Sequence, residues 1–102
     1  MKILLVCSAG MSTTLVIRKM ENALLEDEKN WEIDARPVEQ FKEVYKDYDV
    51  ILLAPQIRYK KDELEKLSKS ENIPLVTINT IDYGLAKGEN ILDIIREQID
   101  KK

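Results

Sequence analysis

Three short apolar runs constrain this chain most: Ile3-Leu4-Leu5-Val6, Val50 to Ala54, and Leu75 to Ile78. They are near-continuous rather than alternating, the pattern of parallel strands covered on both faces. Helical periodicity lies between and after them. Val16, Met20, Ala23 and Leu24 fall on one helix face, and Ser12, Thr13 or Thr14 would cap that helix. Glu39 to Tyr45 is a short helix candidate with Phe41, Val44 and Tyr45 on one side. Lys61 to Lys69 turns Leu64 and Leu67 inward, with Asp62–Lys66 and Glu65–Lys69 as acid-first pairs on its solvated face. Gly84 and Gly88 break the chain before a last helix with Ile91, Leu92, Ile95 and Ile99 as its stripe. Trp31, Ile33 and Ala35 alternate with Glu32, Asp34 and Arg36, an edge strand closed by Pro37. Strands alternating with helices predict an α/β fold: one parallel four-stranded sheet with right-handed crossovers and four or five helices.

Composition narrows the function. The 102 residues suit a single domain spanning 1–102. The formal charge of -3 and the lack of a basic patch argue against nucleic acid as a partner. One cysteine excludes an internal disulfide, and no histidine excludes an internal Cys–His or Ser–His pair. A metal centre of several Cys or His is excluded on the same count, and no cofactor is expected. The run Ile3–Val6 is shorter than a secretory h-region of about 7–15 apolar residues. No stretch nears the ~20 apolar residues of a membrane span. The chain therefore reads as soluble, cytoplasmic and not inserted in a membrane.

Cys7 ends the first apolar run and opens the polar stretch Ser8-Ala9-Gly10-Met11-Ser12-Thr13-Thr14. Strand, tight loop and helix in that order make a corner rich in backbone N–H groups. The first turn of a helix has unpaired donors and partial positive charge, so it holds phosphate without a basic side chain. A lone cysteine after a buried strand is most often a small core hydrophobe. Here the small polar residues around it favour a reactive thiol. The helix N-terminus, with no acid between Lys2 and Met20, predicts a thiol pKa below the free value of ~8.5. Ligands of open parallel sheets bind beyond the carboxyl ends of the strands. Those ends carry Cys7, Ala54-Pro55-Gln56 and Asn79-Thr80. Gln56 and Tyr83 are candidates for the border of the site, and Tyr59 a weaker one. Asp82 is the nearest acid and reads better as a turn or cap residue.

The stretch CSAGMSTT after the first strand, LLAPQIRY after the third and the late INTIDYG resemble the enzyme IIB component of the sugar phosphotransferase system, in its lactose, cellobiose and chitobiose branch. The resemblance runs through nearly the whole chain. It implies a four-stranded parallel sheet of order 2-1-3-4 with helices on both faces, built like the low-molecular-weight tyrosine phosphatases. It implies that Cys7 is a phosphocysteine and that Ser8, Ala9, Gly10, Met11, Ser12, Thr13 and Thr14 cradle the phosphate. The implied partners are a phosphohistidine donor, enzyme IIA, and the membrane enzyme IIC, whose bound sugar is the acceptor. A β-linked disaccharide such as cellobiose, chitobiose or lactose is the implied sugar.

A phosphatase or arsenate reductase is the competing class. Those phosphatases place an arginine where this chain has Thr13, and Arg18 lies further along. A bidentate guanidinium is the usual clamp for phosphate oxygens, so its absence favours a carrier over a hydrolase. A regulatory module that senses phosphate on Cys7 is a third reading.

Overall fold

The computed structural model describes residues 1–8 and 13–100. Strand β1 is Lys2–Cys7, β2 Glu32–Pro37, β3 Val50–Leu53 and β4 Leu75–Thr77. They form one parallel sheet in the order β2-β1-β3-β4. Ile3, Leu4, Leu5 and Val6 are all fully buried, as are Ile51, Leu52 and Leu53. Neighbouring residues of a strand point to opposite faces, so both faces of β1 and β3 are covered. Each such side chain contributes about 1.5–3 kcal/mol relative to an exposed one. Strand β2 lies at the edge and buries only Ile33 outright.

The helices are α1 (Thr14–Asn22), α2 (Phe41–Val44), α3 (Lys61–Ser70), α4 (Thr80–Gly84) and α5 (Gly88–Asp100). Helix α1 buries Val16 and Met20 and packs on α5. Helix α5 buries Ile91, Leu92 and Ile95, but Ile99 is 38 % exposed because it lies past the end of the core. The short α2 has a 3-10 turn on each side, and Phe41 stacks on Tyr45 with ring centroids 4.9 Å apart. In α3 the Glu65–Lys69 pair closes at 3.9 Å, while Lys60 reaches Glu63 at 3.7 Å. The Asn72 and Ile73 N–H groups return to the carbonyls of Lys69 and Ser68. This closes α3 in a Schellman turn with Asn72 in the left-handed conformation, φ 58°.

Two expectations shift. Helix α1 stops at Asn22 rather than running to Leu24. The Leu25 N–H takes the Glu28 carboxylate at 2.9 Å, which starts a separate 3-10 turn over Glu26–Glu28. The left-handed residue before α5 is Ala86, φ 51°, and neither glycine. Gly88 serves close approach instead. A Cβ there would lie 2.4 Å from the backbone carbonyl of Lys19 in α1.

Candidate active site

Strand β1 ends at Cys7, in the row next to Pro37 of β2. A central strand places the residue at its carboxyl end over the middle of the sheet edge, where ligands of such folds bind. Cys7 is 6 % exposed, and its thiol donates to the carbonyl oxygen of Arg36 at 3.5 Å. Burial pushes the thiol pKa up, and the Glu39 carboxylate pushes it further in the same direction. The expected depression of that pKa is therefore corrected. The acid that matters is distant in sequence, in the 3-10 turn Val38–Gln40 after the neighbouring strand.

Ser8 is half-buried beside Cys7. Ala9, Gly10, Met11 and Ser12 lie outside the described residues. Thr13 is buried at the N-cap position of α1 and makes no side-chain cap bond, although its carbonyl accepts from the Ile17 N–H at 3.0 Å. Thr14 is the exposed first residue of the helix, whose first turn carries no acid. First-turn N–H groups that the N-cap side chain leaves uncapped, with no acid in the turn, suit an anion. Arg18 is exposed in α1.

Gln56 follows β3 in a 3-10 segment, Pro55–Lys60. It lines an open cleft of about 470 Å³ with Pro55, Arg58, Tyr59 and Thr80. Tyr59 is 76 % exposed there. Asp82 accepts from its own helix cap and from α5. The Asn79 amide donates to one oxygen at 2.7 Å and the Asn90 amide to the other at 3.1 Å. These bonds, Asn90 first, hold its carboxyl below the usual carboxylate range. It lies in the first turn of α4 rather than at the cap, which is Asn79, and both its oxygens are occupied.

Tyr83 is buried in α4, and its hydroxyl has no hydrogen-bond partner among the described residues. Burial raises its pKa, and Cys7 raises it further. The Cys7 thiol thus feels the Glu39 carboxylate and Tyr83 feels Cys7, while Gln56 lies on the cleft beside β3. Sequence reasoning missed Glu39. Its signal was its position just past the carboxyl end of β2, behind Pro37.

Among the described residues no cluster of His, Cys, Asp and Glu could hold a metal ion. Nor is any helix there long and apolar enough to cross a membrane.

Residues 2–94 match the family described as the lactose/cellobiose-specific IIB subunit of the PTS system. The galactose-specific EIIB component of Lactococcus lactis subsp. cremoris is 35 % identical over 88 % of each chain. The oligo-beta-mannoside-specific EIIB component of Bacillus subtilis is 38 % identical over 86 % of this chain and 85 % of its own. The solution structure of a cellobiose-specific phosphotransferase IIB component from Borrelia burgdorferi superposes with a TM-score of 0.80. It is 41 % identical and covers 100 % of this chain and 94 % of its own. The lactose-specific IIB domain of Streptococcus pneumoniae, 20 % identical, shares the fold with a TM-score of 0.81 and 95 % coverage of both chains. With its four-stranded sheet and its matched length, the chain belongs to the lactose/cellobiose-specific IIB subunits of the sugar phosphotransferase system.

Proposed function

We propose that this protein carries a phosphoryl group on Cys7 between enzyme IIA and a sugar held by the membrane enzyme IIC. The observation that carries this reading is the place of the chain's one cysteine, at the carboxyl end of a central strand in a IIB fold. In the first step the Cys7 thiol loses its proton and the sulfur attacks the phosphorus of a phosphohistidine. The S–P bond forms as the P–N bond breaks, the electron pair returns to the imidazole nitrogen, and that nitrogen takes up the proton the thiol gave up. In the second step a sugar hydroxyl oxygen attacks the same phosphorus. The O–P bond forms, the S–P bond breaks, the sulfur leaves with the bonding electron pair, and the proton given up by the hydroxyl restores the Cys7 thiol. Such transfer is mostly positioning and charge stabilisation, and the loop from Ser8 to Thr14 supplies the anion cradle. The acceptor class is a β-linked disaccharide, and the work is done at the cytoplasmic face of the membrane by one domain spanning 1–102.

The raised thiol pKa fits a carrier. Burial and Glu39 keep the free sulfur protonated, so it is guarded until a partner brings the phosphoryl group. The test is incubation with phosphoenolpyruvate and the upstream enzymes, followed by intact mass and site mapping. One phosphate on Cys7 is expected, and none on a folded Cys7→Ser protein. Phosphate on another residue, or sugar phosphorylation by Cys7→Ser, would overturn the reading.

A further inference from the structure

The proton on the Cys7 sulfur goes to the neighbouring strand. The thiol donates to the Arg36 carbonyl oxygen at 3.5 Å, which joins the carboxyl end of β1 to that of the edge strand β2. Pro37 stands in register with Cys7 and has no N–H to give. Arg36 precedes it, so its backbone is held extended and its carbonyl cannot turn freely. Arg36 is in register with Val6, one residue before Cys7. Its guanidinium therefore leaves on the face of the sheet opposite the one that Cys7 uses. The Glu39 carboxylate, in the turn that follows, adds negative charge that Cys7 feels. A neutral thiol suits these surroundings, because an acceptor that bonds the protonated form favours it. A sulfur bonded to phosphorus has no proton to give. Its phosphoryl oxygens carry negative charge, which the same carbonyl oxygen and Glu39 repel.

We propose that the Cys7–Arg36 bond is a latch of the unphosphorylated state, which holds the Cys7 side chain against β2 until a phosphoryl group replaces the proton, and that phosphorylation then turns the side chain away and frees the Arg36 carbonyl. The proposal rests on the reading of Cys7 as the phosphoryl carrier. The S–H bond breaks as the S–P bond forms, and the proton goes to the departing histidine nitrogen. One torsion, χ1, places the sulfur, and its staggered wells are discrete. The change is thus a switch between two positions and not a drift. Pro37 and the turn Val38–Gln40 follow Arg36 directly. The segment leaving β2 is thereby tied to the load on Cys7, and a partner touching it tells the loaded carrier from the empty one.

The test uses the full chain labelled with 13C at arginine carbonyls and 15N at proline. Arg36-Pro37 is the one Arg-Pro pair in the sequence, so a single carbonyl carries the 13C–15N coupling and is read alone. Loss of a hydrogen bond moves a carbonyl carbon upfield. That shift is expected on phosphorylation and again in Cys7→Ala, and the Cys7 Hα–Hβ couplings should report a new χ1 on phosphorylation. The S–H Raman band of the unphosphorylated wild type needs no variant, and it is single because the chain has one cysteine. It is expected at a lower frequency than that of a simple thiol dissolved without an acceptor, and a band at the free frequency overturns the latch. A carbonyl that stays in place, or unchanged couplings on a protein phosphorylated at Cys7, rejects the latch and leaves the carrier reading standing. Absence of phosphate from Cys7 rejects the carrier reading and the latch with it.

Discussion

Arg96 grips Glu28 with two parallel hydrogen bonds, Nε to one carboxylate oxygen at 2.9 Å and Nη2 to the other at 2.8 Å. Glu28 is 6 % exposed, and Arg96 also reaches Asp93 at 2.8 Å and Glu89 at 3.2 Å. The clasp ties the turn after α1 to the middle of α5. It belongs to the scaffold.

That clasp sets an acid dependence. The bonds from Arg96 outweigh burial and hold the Glu28 carboxyl below its ordinary pKa. A carboxyl depressed in the folded state stabilises the protein above its unfolded pKa of ~4.3. The contribution disappears as pH falls through the lower, folded value. Urea unfolding should therefore weaken below about pH 4, and less steeply in Glu28→Gln. Arg96→Met leaves a buried carboxylate without its partner and should cost about 3 kcal/mol at neutral pH. A loss within error in that variant would refute the clasp.

The Cys7 thiol should titrate above the free value of ~8.5, because burial first and the Glu39 carboxylate second oppose its ionisation. Alkylation rate against pH reads this directly. Glu39→Gln removes the second cause, so its inflection should move down and its rate at neutral pH rise. An inflection below the free value in wild type would mean that the loop donors outweigh burial and Glu39 together.

Gly88→Ala should destabilise strongly. The new methyl carbon would stand 2.4 Å from the Lys19 carbonyl carbon and oxygen and 2.6 Å from the Met20 nitrogen, all backbone atoms. Relief requires α1 and α5 to part. Overpacking of this kind costs about 2 kcal/mol, which is a fall in Tm of roughly 10 °C for a domain this size. A Tm within about 2 °C of wild type would show that the helices separate at little cost.

The isolated phosphoprotein should outlive its transfer step with partner and sugar present. Thr13 stands where the tyrosine phosphatases place arginine, and Asp82 has both oxygens engaged. Donors that hold phosphate equally before and during transfer do not speed the chemical step. Turnover of p-nitrophenyl phosphate should be negligible. Rapid release of inorganic phosphate by the protein alone would move the reading to a phosphatase.

Much of this molecule is written in neighbouring residues. The near-continuous apolar runs mark β1 and β3, because a strand covered on both faces has no polar side; the run at Leu75 also marks β4, which proves to be an edge strand that buries only Leu75 outright. The alternation from Trp31 to Arg36 marks the edge strand β2 for the opposite reason. Cys7 at the end of the first run, with Ser8 and Thr13 after it, is legible as a strand–loop–helix corner. Asp82 is legible as a local structural acid rather than a catalytic one, and the structure sets it in the first turn of α4 behind the cap residue Asn79.

The rest depends on which elements meet. The order β2-β1-β3-β4 follows from the family likeness and not from any local pattern, since parallel strands pair across long crossovers. Ala86 takes the left-handed turn between two candidate glycines because the close packing of α1 on α5 needs Gly88 elsewhere. Local sequence supplies a helix N-terminus near Cys7 and predicts a depressed thiol. Folding supplies burial and Glu39 from the next strand's exit, and these raise it. The same holds for Tyr83, whose lost solvent and unpaired hydroxyl arise only when α4 closes over the sheet edge. Periodicity reports which side of an element is apolar. Only the assembled tertiary structure decides which charged and polar groups share its interior.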